Sequence, residues 1–306
     1  FIINIEDSVF EACVNTCLLG MKRCSSSSNN LSYMKGSLIP KFFTSQLSTC
    51  SQTKYLHENS YLIQPMGNDG DNKVISRIEE GSSPLSEFAV VKFGMQLRNR
   101  KLFPTDVITN PVASELTSCH KRCITGKDIM EFKTVYNNRY CYFNREAKCG
   151  GCWDEAIQTA KIKILVRQVG SIPVCGIDTN GYAVLNSAFI IVPFRINPYA
   201  LLGLLNSKVL KYYWSNKFED KRKAFPKIKG GFLELLPIKH FNNEEFNSLV
   251  EKIVSNHQVG TNCYKECNEM NMIVYKLYNI SYDEVLIIDP DTPITREEYE
   301  RYNISE

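Results

Sequence analysis

The chain has 306 residues, is 43% hydrophobic and 23% charged, and carries a formal net charge of +3. This balance describes a folded protein of two domains, or of one domain with extensions, and excludes a global polycation, so any nucleic-acid footprint must be local. Twelve cysteines at irregular spacing follow no secretory leader, which reads as free thiols in a reducing cytoplasm, and the longest apolar runs, AFIIVPF and ALLGLL, are too short to span a bilayer.

The chain opens at Phe1 without an initiator methionine, so a start further upstream is expected. Residues 1–23 (FIINIEDSVFEACVNTCLLGMKR) read as two short strands around a turn near Glu6-Asp7-Ser8, a hairpin too small to stand alone. CSSSSNN reads as a linker, and residues 31–70, with scattered Ser, Thr and Asn, as irregular structure. Asp71–Glu80 places Val74, Ile75 and Ile78 on one helical face, and Gly81 stops that helix. Strand signals fill residues 85–240. KIKILVRQVG alternates Lys161, Lys163 and Arg167 with Ile162, Ile164 and Val166, the period of a half-buried strand. Asn180-Gly181 favours a tight hairpin, which predicts a three-stranded antiparallel meander over 162–194. One helix is expected over 198–214, capped by Asn197, opened by Pro198, and striped by Leu201, Leu202, Leu205, Val209 and Tyr212. After Pro237, Asn243 caps a helix with Phe246, Leu249, Val250 and Ile253 inward. A second helix should run from Tyr264 to Tyr278 with Met270, Ile273, Val274 and Leu277 inward.

The residues show no complete catalytic set. His57, His120, His240 and His257 are dispersed, and no glycine-rich loop joins a strand to a helix. Cys149-Gly-Gly-Cys152, with Cys119, His120 and Cys123 upstream, has the spacing of a zinc knuckle, yet Cys141 and Cys175 supply no second one. Packed thiols beside Trp153 are the favoured reading, and no metal site is expected.

Charge is unevenly spread. Between Lys208 and Lys239 nine cations face three anions, a net +6, and six of the cations fall within thirteen positions: Lys217, Lys221, Arg222, Lys223, Lys227 and Lys229. The stretch is either a solvated loop or a loop laid against a polyanion, with FLELLPI returning to the core. QLRNRK (96–101) adds Arg98, Asn99, Arg100 and Lys101, a mixture able to grip phosphate and to read base edges.

Three stretches together resemble one family. KFGMQLRNRKLF (92–103) with RCITGKDIMEF (122–132), GGCWDEAIQTAKIKILVRQVG (150–170) with YAVLNSAFIIVP (182–193), and ALLGLLNSKVLKYYW (200–214) with KAFPKIKGGFLELLPI (223–238) resemble target-recognition domains of restriction–modification enzymes. The last pair is the most specific, and it resembles the TaqI-like C-terminal specificity domain of bacterial adenine-specific DNA methyltransferases, including fused type IIG restriction enzymes. VFEACVNTCLLGMKR (9–23) is similar to the closing strands of the methyltransferase core, and MIVYKLYNISYDEVLIID (272–289) to the family's helical end.

The resemblance implies an α+β architecture: a mainly antiparallel target-recognition domain (85–240) with a C-terminal helical segment (241–306), preceded by a linker and short helix (24–84) and by a terminal hairpin (1–23) of a Rossmann-like methyltransferase core. It implies sequence-specific binding of double-stranded DNA, with N-terminal methyltransferase domains of the same polypeptide, and a nuclease domain where one exists, as partners. Phosphate contacts are expected from Lys217, Lys221, Arg222, Lys223, Lys227 and Lys229, and groove contacts from Arg98, Asn99, Arg100 and Lys101. Lys127 joins the candidates, while Arg167 and Gln168 either contact DNA or support the sheet. The family's (N/D)-P-P-(Y/F) motif is missing, since Asn110-Pro111-Val112 and Asn197-Pro198-Tyr199 lack the second proline. No cofactor is therefore expected on this chain, S-adenosylmethionine belonging to the catalytic half. The competing reading is a protein-interaction module that docks a partner through its terminal helices, as specificity subunits do.

Overall fold

A computed structural model describes residues 1–5, 16–22, 30–36, 48–52, 69–218 and 225–304. These residues divide into two compact units, one drawn from residues 1–72 and one from residues 73–218 and 225–304.

The first unit is a four-stranded mixed sheet. β1 (Ile2–Ile5) pairs antiparallel with β2 (Thr16–Leu19), as the hairpin reading expects; the residues of its turn, 6–15, lie outside the described set. Residues read as linker and irregular structure supply two more strands, β3 (Asn30–Gly36) and β4 (Ser48–Ser51). β3 lies parallel to β1, β4 runs antiparallel to β3, and the sheet order is β2-β1-β3-β4. Ile5, Leu31 and Tyr33 are its buried apolar residues. Two alternating buried side chains, Leu31 and Tyr33, are enough to seat β3, and so small a signal hides among serines and asparagines.

The second unit begins within α1 (Asp69–Glu79), whose Val74, Ile75 and Ile78 are wholly buried, and Gly81 leaves the helix with φ +68°. The chain then lays down β5 (Ser83–Pro84), β6 (Ala89–Phe93), β7 (Gln96–Leu97), β8 (Val107–Thr109), β9 (His120–Ile124), β10 (Ile129–Met130), β11 (Lys133–Thr134), β12 (Arg139–Tyr142) and β13 (Lys148–Gly150). A short helix α2 (Glu155–Gln158) precedes β14 (Lys163–Arg167), β15 (Cys175–Asp178), β16 (Ala183–Val184) and β17 (Ala188–Pro193). Two four-stranded sheets result, ordered β16-β9-β12-β8 and β15-β14-β17-β6. Every pair is antiparallel except β16 on β9. One core lies around Met95, Leu97, Cys123, Cys141 and Leu185, and another around Ile124, Ile129, Leu165, Val184 and Ile190.

The expected meander is replaced by a sheet with β14 in its interior. β14 is paired by β15 on one edge and β17 on the other, and its first four residues are all buried. Alternation misleads here because Lys163 is not on a wet face: its Nζ lies 2.8 Å from Asp178 Oδ2, and both side chains are fully buried. Burial pushes the Lys163 ammonium below its ordinary range, and the Asp178 carboxylate pulls it back. Asp178 also explains why Asn180-Gly181 joins no paired strands. Its carboxylate accepts the backbone N–H groups of Asn180 at 2.8 Å and Tyr182 at 2.9 Å, and Gly181 takes a positive φ while Asn180 does not. The turn thus carries the chain to β16 in the other sheet.

Helices cover this sheet. The expected single helix over 198–214 is two, α3 (Pro198–Asn206) and α4 (Lys208–Lys217), because Ser207 adopts an extended backbone and its Oγ accepts from Leu210 N. Asn197 caps α3 as expected, accepting from Tyr199 N at 2.8 Å with Pro198 at the first position. α3 packs on β14 and β15. At its end the buried Asn206 amide gives to Cys175 O (2.9 Å) and takes from Cys175 N (3.2 Å), so it serves as a surrogate strand along β15. After α5 (Gly230–Glu234), β18 (Pro237–Ile238) returns to pair with β5. α6 (Glu244–Val259), capped by Asn243, packs against α3, and α7 (Tyr264–Leu277), α8 (Tyr282–Ile288) and α9 (Arg296–Arg301) complete the helical end. No helix among the described residues is long and apolar enough to cross a membrane.

Lys163→Met should strand the Asp178 carboxylate in the core and cost about 3–5 kcal/mol in urea unfolding. Adding Asp178→Asn, whose carbonyl can still accept one of the two backbone N–H groups, should recover part of that loss.

Candidate functional site

The C-terminal end of β14 gathers several of the sequence candidates. Beyond Arg167 the chain continues through Gln168, Val169 and Gly170, and residues 226–228 lie antiparallel beside it. Gly170 N donates to Pro226 O at 2.9 Å, Val169 pairs with Lys227, and Ile228 N donates to Gln168 O at 2.8 Å. Ile228 is buried and pins the segment, whereas Lys227 and Lys229 are exposed and Phe225 is 76% exposed. The Lys229 ammonium rests 5.1 Å from the Phe232 ring. Arg167 is half-buried, and its Nε–H is enclosed with no hydrogen-bond partner among the described residues. An enclosed cationic donor left in this state costs about 1–3 kcal/mol.

Lys127 meets the same place from another direction. It sits exposed on the turn Gly126–Asp128, and Gly126 N donates to Ser187 Oγ at 2.8 Å while Gln168 N donates to Ser187 O at 3.0 Å. Gly126 is required by space: a Cβ there would stand 2.3 Å from Ser187 O and 3.4 Å from Arg167 Cγ. Asp128, buried, fixes the turn. It accepts from Thr125 N and Thr125 Oγ1 at 2.7 Å each and from Asn137 Nδ2 at 2.7 Å, and it pairs with Arg139. Burial alone would raise its pKa, but the Thr125 and Asn137 hydrogen bonds and the Arg139 guanidinium together hold it below the ordinary carboxylate value.

A patch that the sequence reading missed runs along the strand leading into this turn. Arg122 on β9 stands opposite Tyr140 on β12, with its guanidinium carbon 5.8 Å from the Tyr136 ring, and Tyr136 stacks on Tyr182 at 4.7 Å and 8°. The neighbouring Tyr136 hydroxyl and Arg122 guanidinium hold the Tyr140 phenol below its ordinary pKa. VYNNRYCY holds the signal, since Tyr140 and Tyr142, two positions apart on β12, share a face, and Arg122 of the neighbouring strand stands opposite Tyr140.

Other candidates have different positions. Arg98 donates from Nε to Asp106 Oδ2 at 2.9 Å and from a terminal nitrogen to Oδ1 at 3.1 Å, while its guanidinium carbon sits 3.7 Å from the Phe103 ring. Its fork is committed to closing the 98–106 loop around a buried carboxylate. Asn99 Oδ1 accepts from Lys101 N at 3.0 Å and shapes the same loop, leaving Arg100 and Lys101 exposed at its tip. Lys217 is buried in α4 with its Nζ 3.1 Å from Glu79 Oε1, so it holds α4 to α1 within the fold. Lys221, Arg222 and Lys223 lie outside the described residues. Cys149 is exposed and Cys152 half-buried, and among the described residues the group able to hold a metal is instead His257, Cys263 and Cys267.

Residues 121–238 match the family model of the TaqI-like C-terminal specificity domain. This stretch of the chain resembles a TaqI-like specificity domain. It takes in Lys127, Arg167, Gln168, Lys227 and Lys229, and Arg98–Lys101 precede it. No curated protein sequence matches the chain. Among solved structures it is similar in fold to the type IIL restriction-modification enzyme MmeI in complex with DNA, with a TM-score of 0.52 and 10% identity over 98% of this chain. Weaker likenesses join it to the type IIG restriction endonuclease BpuSI (TM-score 0.42, 10% identity, 96% of this chain and 44% of that one) and to the HsdS subunit from Thermoanaerobacter tengcongensis (TM-score 0.32, 10% identity, 69% and 51%). The chain spans 45% of the length of the MmeI chain.

The specificity domain's turn should be acid-sensitive. Because the folded Asp128 has a lowered pKa, its stabilisation is complete above the unfolded value of about 4 and fades as pH falls below it. Asp128→Asn should cost about 1–3 kcal/mol at neutral pH. The gap in melting temperature between the two proteins should narrow as pH drops from 5 to 3, as followed by circular dichroism.

Proposed function

We propose that this chain reads a target sequence in duplex DNA on behalf of an adenine-specific DNA methyltransferase of a type II restriction-modification system, in the cytoplasm. The observation that carries the reading is the match of residues 121–238 to a specificity domain, because those residues build the face of Lys127, Arg167, Gln168, Lys227 and Lys229. The catalytic half, with its S-adenosylmethionine, acts as the other wall of the cleft and belongs to the same polypeptide in this proposal.

The contacts divide by chemistry. Lys227 and Lys229 are flexible point charges on a segment tied to the sheet by backbone, suited to phosphate oxygens whatever the sequence. In sequence, Lys221, Arg222 and Lys223 shortly precede this segment. The half-buried Arg167 guanidinium and Gln168 beside it suit the paired acceptors and donors on base edges. Arg100 and Lys101, exposed at the tip of the 98–106 loop, suit the backbone at a second point. Lys217 and Arg98 are left out, their charges being matched by Glu79 and Asp106.

Fluorescence anisotropy with a duplex selected from a random pool tests this. Lys227→Ala with Lys229→Ala should weaken selected and random duplexes alike and flatten the salt dependence by about two in the log–log slope. Arg167→Ala should instead relax the preference at one base pair by about 1–3 kcal/mol. Lys217→Ala should destabilise the fold without altering the slope. A pool from which no preferred sequence emerges would overturn the reading, and an unchanged slope in the double variant would take the 226–229 segment out of the interface.

A further inference from the structure

The turn between α6 and α7 brings three soft or borderline metal ligands together across ten residues of sequence. His257 lies in the last turn of α6, Cys263 is the N-cap of α7, and Cys267 follows one helical turn later. Gly260, at φ +77°, reverses the chain, and Thr261 N donates to Asn256 O at 2.9 Å to close the end of α6. The ring nitrogen of His257 and both sulfurs lie within 4.8 Å of one another. The two sulfurs are 3.7 Å apart.

That last distance is informative. Zinc–thiolate bonds of about 2.3 Å at the tetrahedral angle set their two sulfurs about 3.8 Å apart, so the thiols already span one edge of a zinc tetrahedron. A disulfide needs its sulfurs near 2.05 Å, and both cysteines are free. Cys263 is buried, while Cys267 and His257 are half-buried, which leaves the group reachable yet shielded. A small adjustment of the imidazole brings its nitrogen to the third corner.

We propose that His257, Cys263 and Cys267 bind one zinc ion, with solvent or an added donor at the fourth corner. Binding displaces two thiol protons, so two thiolates and a neutral imidazole around a divalent ion give a net charge of zero, which suits a partly buried position. The site is structural. It ties the last turn of α6 to the first turn of α7 where they touch the specificity domain: Lys133 Nζ donates to His257 O at 2.8 Å, and the Phe132 ring lies 5.2 Å from the imidazole. The inference stands apart from the DNA reading, since a structural zinc is compatible with any partner.

The test uses the whole chain, free of any affinity tag, purified with zinc supplied and then desalted. Elemental analysis should give near one zinc per chain in the wild type and in the Cys149→Ser/Cys152→Ser variant, and almost none in Cys267→Ser. Cobalt added to the metal-free wild type should produce the intense tetrahedral visible bands and the sulfur-to-cobalt charge transfer of a two-thiolate site. Those bands should weaken in Cys267→Ser. A chelator should lower the melting temperature of the wild type and leave that of Cys267→Ser unchanged. A wild type that takes up neither zinc nor cobalt at saturating metal overturns the proposal. Metal that persists in Cys267→Ser, or is lost in Cys149→Ser/Cys152→Ser, overturns it equally, and the cobalt spectrum decides the matter even where a serine variant folds poorly.

Discussion

A charged pair sealed inside the second unit sets the position of nearly everything around it. Lys163 and Asp178 meet where β14 and β15 begin and end, both side chains fully buried, so the two strands cannot slide past each other without separating the charges. β17 then fixes the opposite edge of β14, and α3 closes over the face. With its start locked, β14 delivers Arg167 and Gln168 to one point at its other end. The turn that holds Lys127 and the segment that holds Lys227 are both anchored to that point by main-chain bonds.

Cations in this chain do two kinds of work, and charge density alone does not separate them. Arg98, Arg139, Lys163 and Lys217 each neutralise a carboxylate of the fold, three of those carboxylates being almost fully buried. Lys127, Lys227 and Lys229 project from positions set by backbone contacts and are exposed. The net +6 between Lys208 and Lys239 therefore overstates what can reach a partner, since Lys208, Lys211 and Lys217 pair with Asp289, Glu131 and Glu79.

How much of this could be read beforehand depends on the range of the physics involved. Caps and stripes are local, and so Asn197, Asn243 and the apolar faces of α1, α6 and α7 were legible. Ser207 was not, because a serine is tolerated inside a helix, and its role as a break and a cap depends on the sheet that Asn206 must reach. Asn180-Gly181 looks like a hairpin until the Asp178 side chain, two residues earlier, captures its N–H groups. Lys163 read as solvent-facing because its partner is fifteen residues away. The basic segment is visible as a run of charge, but the attachment of residues 226–228 to Gln168–Gly170 pairs positions nearly sixty apart. His257, Cys263 and Cys267 match no common knuckle spacing, since Gly260 sets their distance.

Phe225 carries a consequence of its own. It sits in the left-handed region at φ +52° immediately before a proline, a combination that bulky residues avoid at a cost of about 1–3 kcal/mol, and its ring is left in water. The ladder of Pro226, Lys227 and Ile228 along Gln168–Gly170 is what sustains it. The backbone that carries this exposed ring is thus held in place by the strand residues beside it, 168–170.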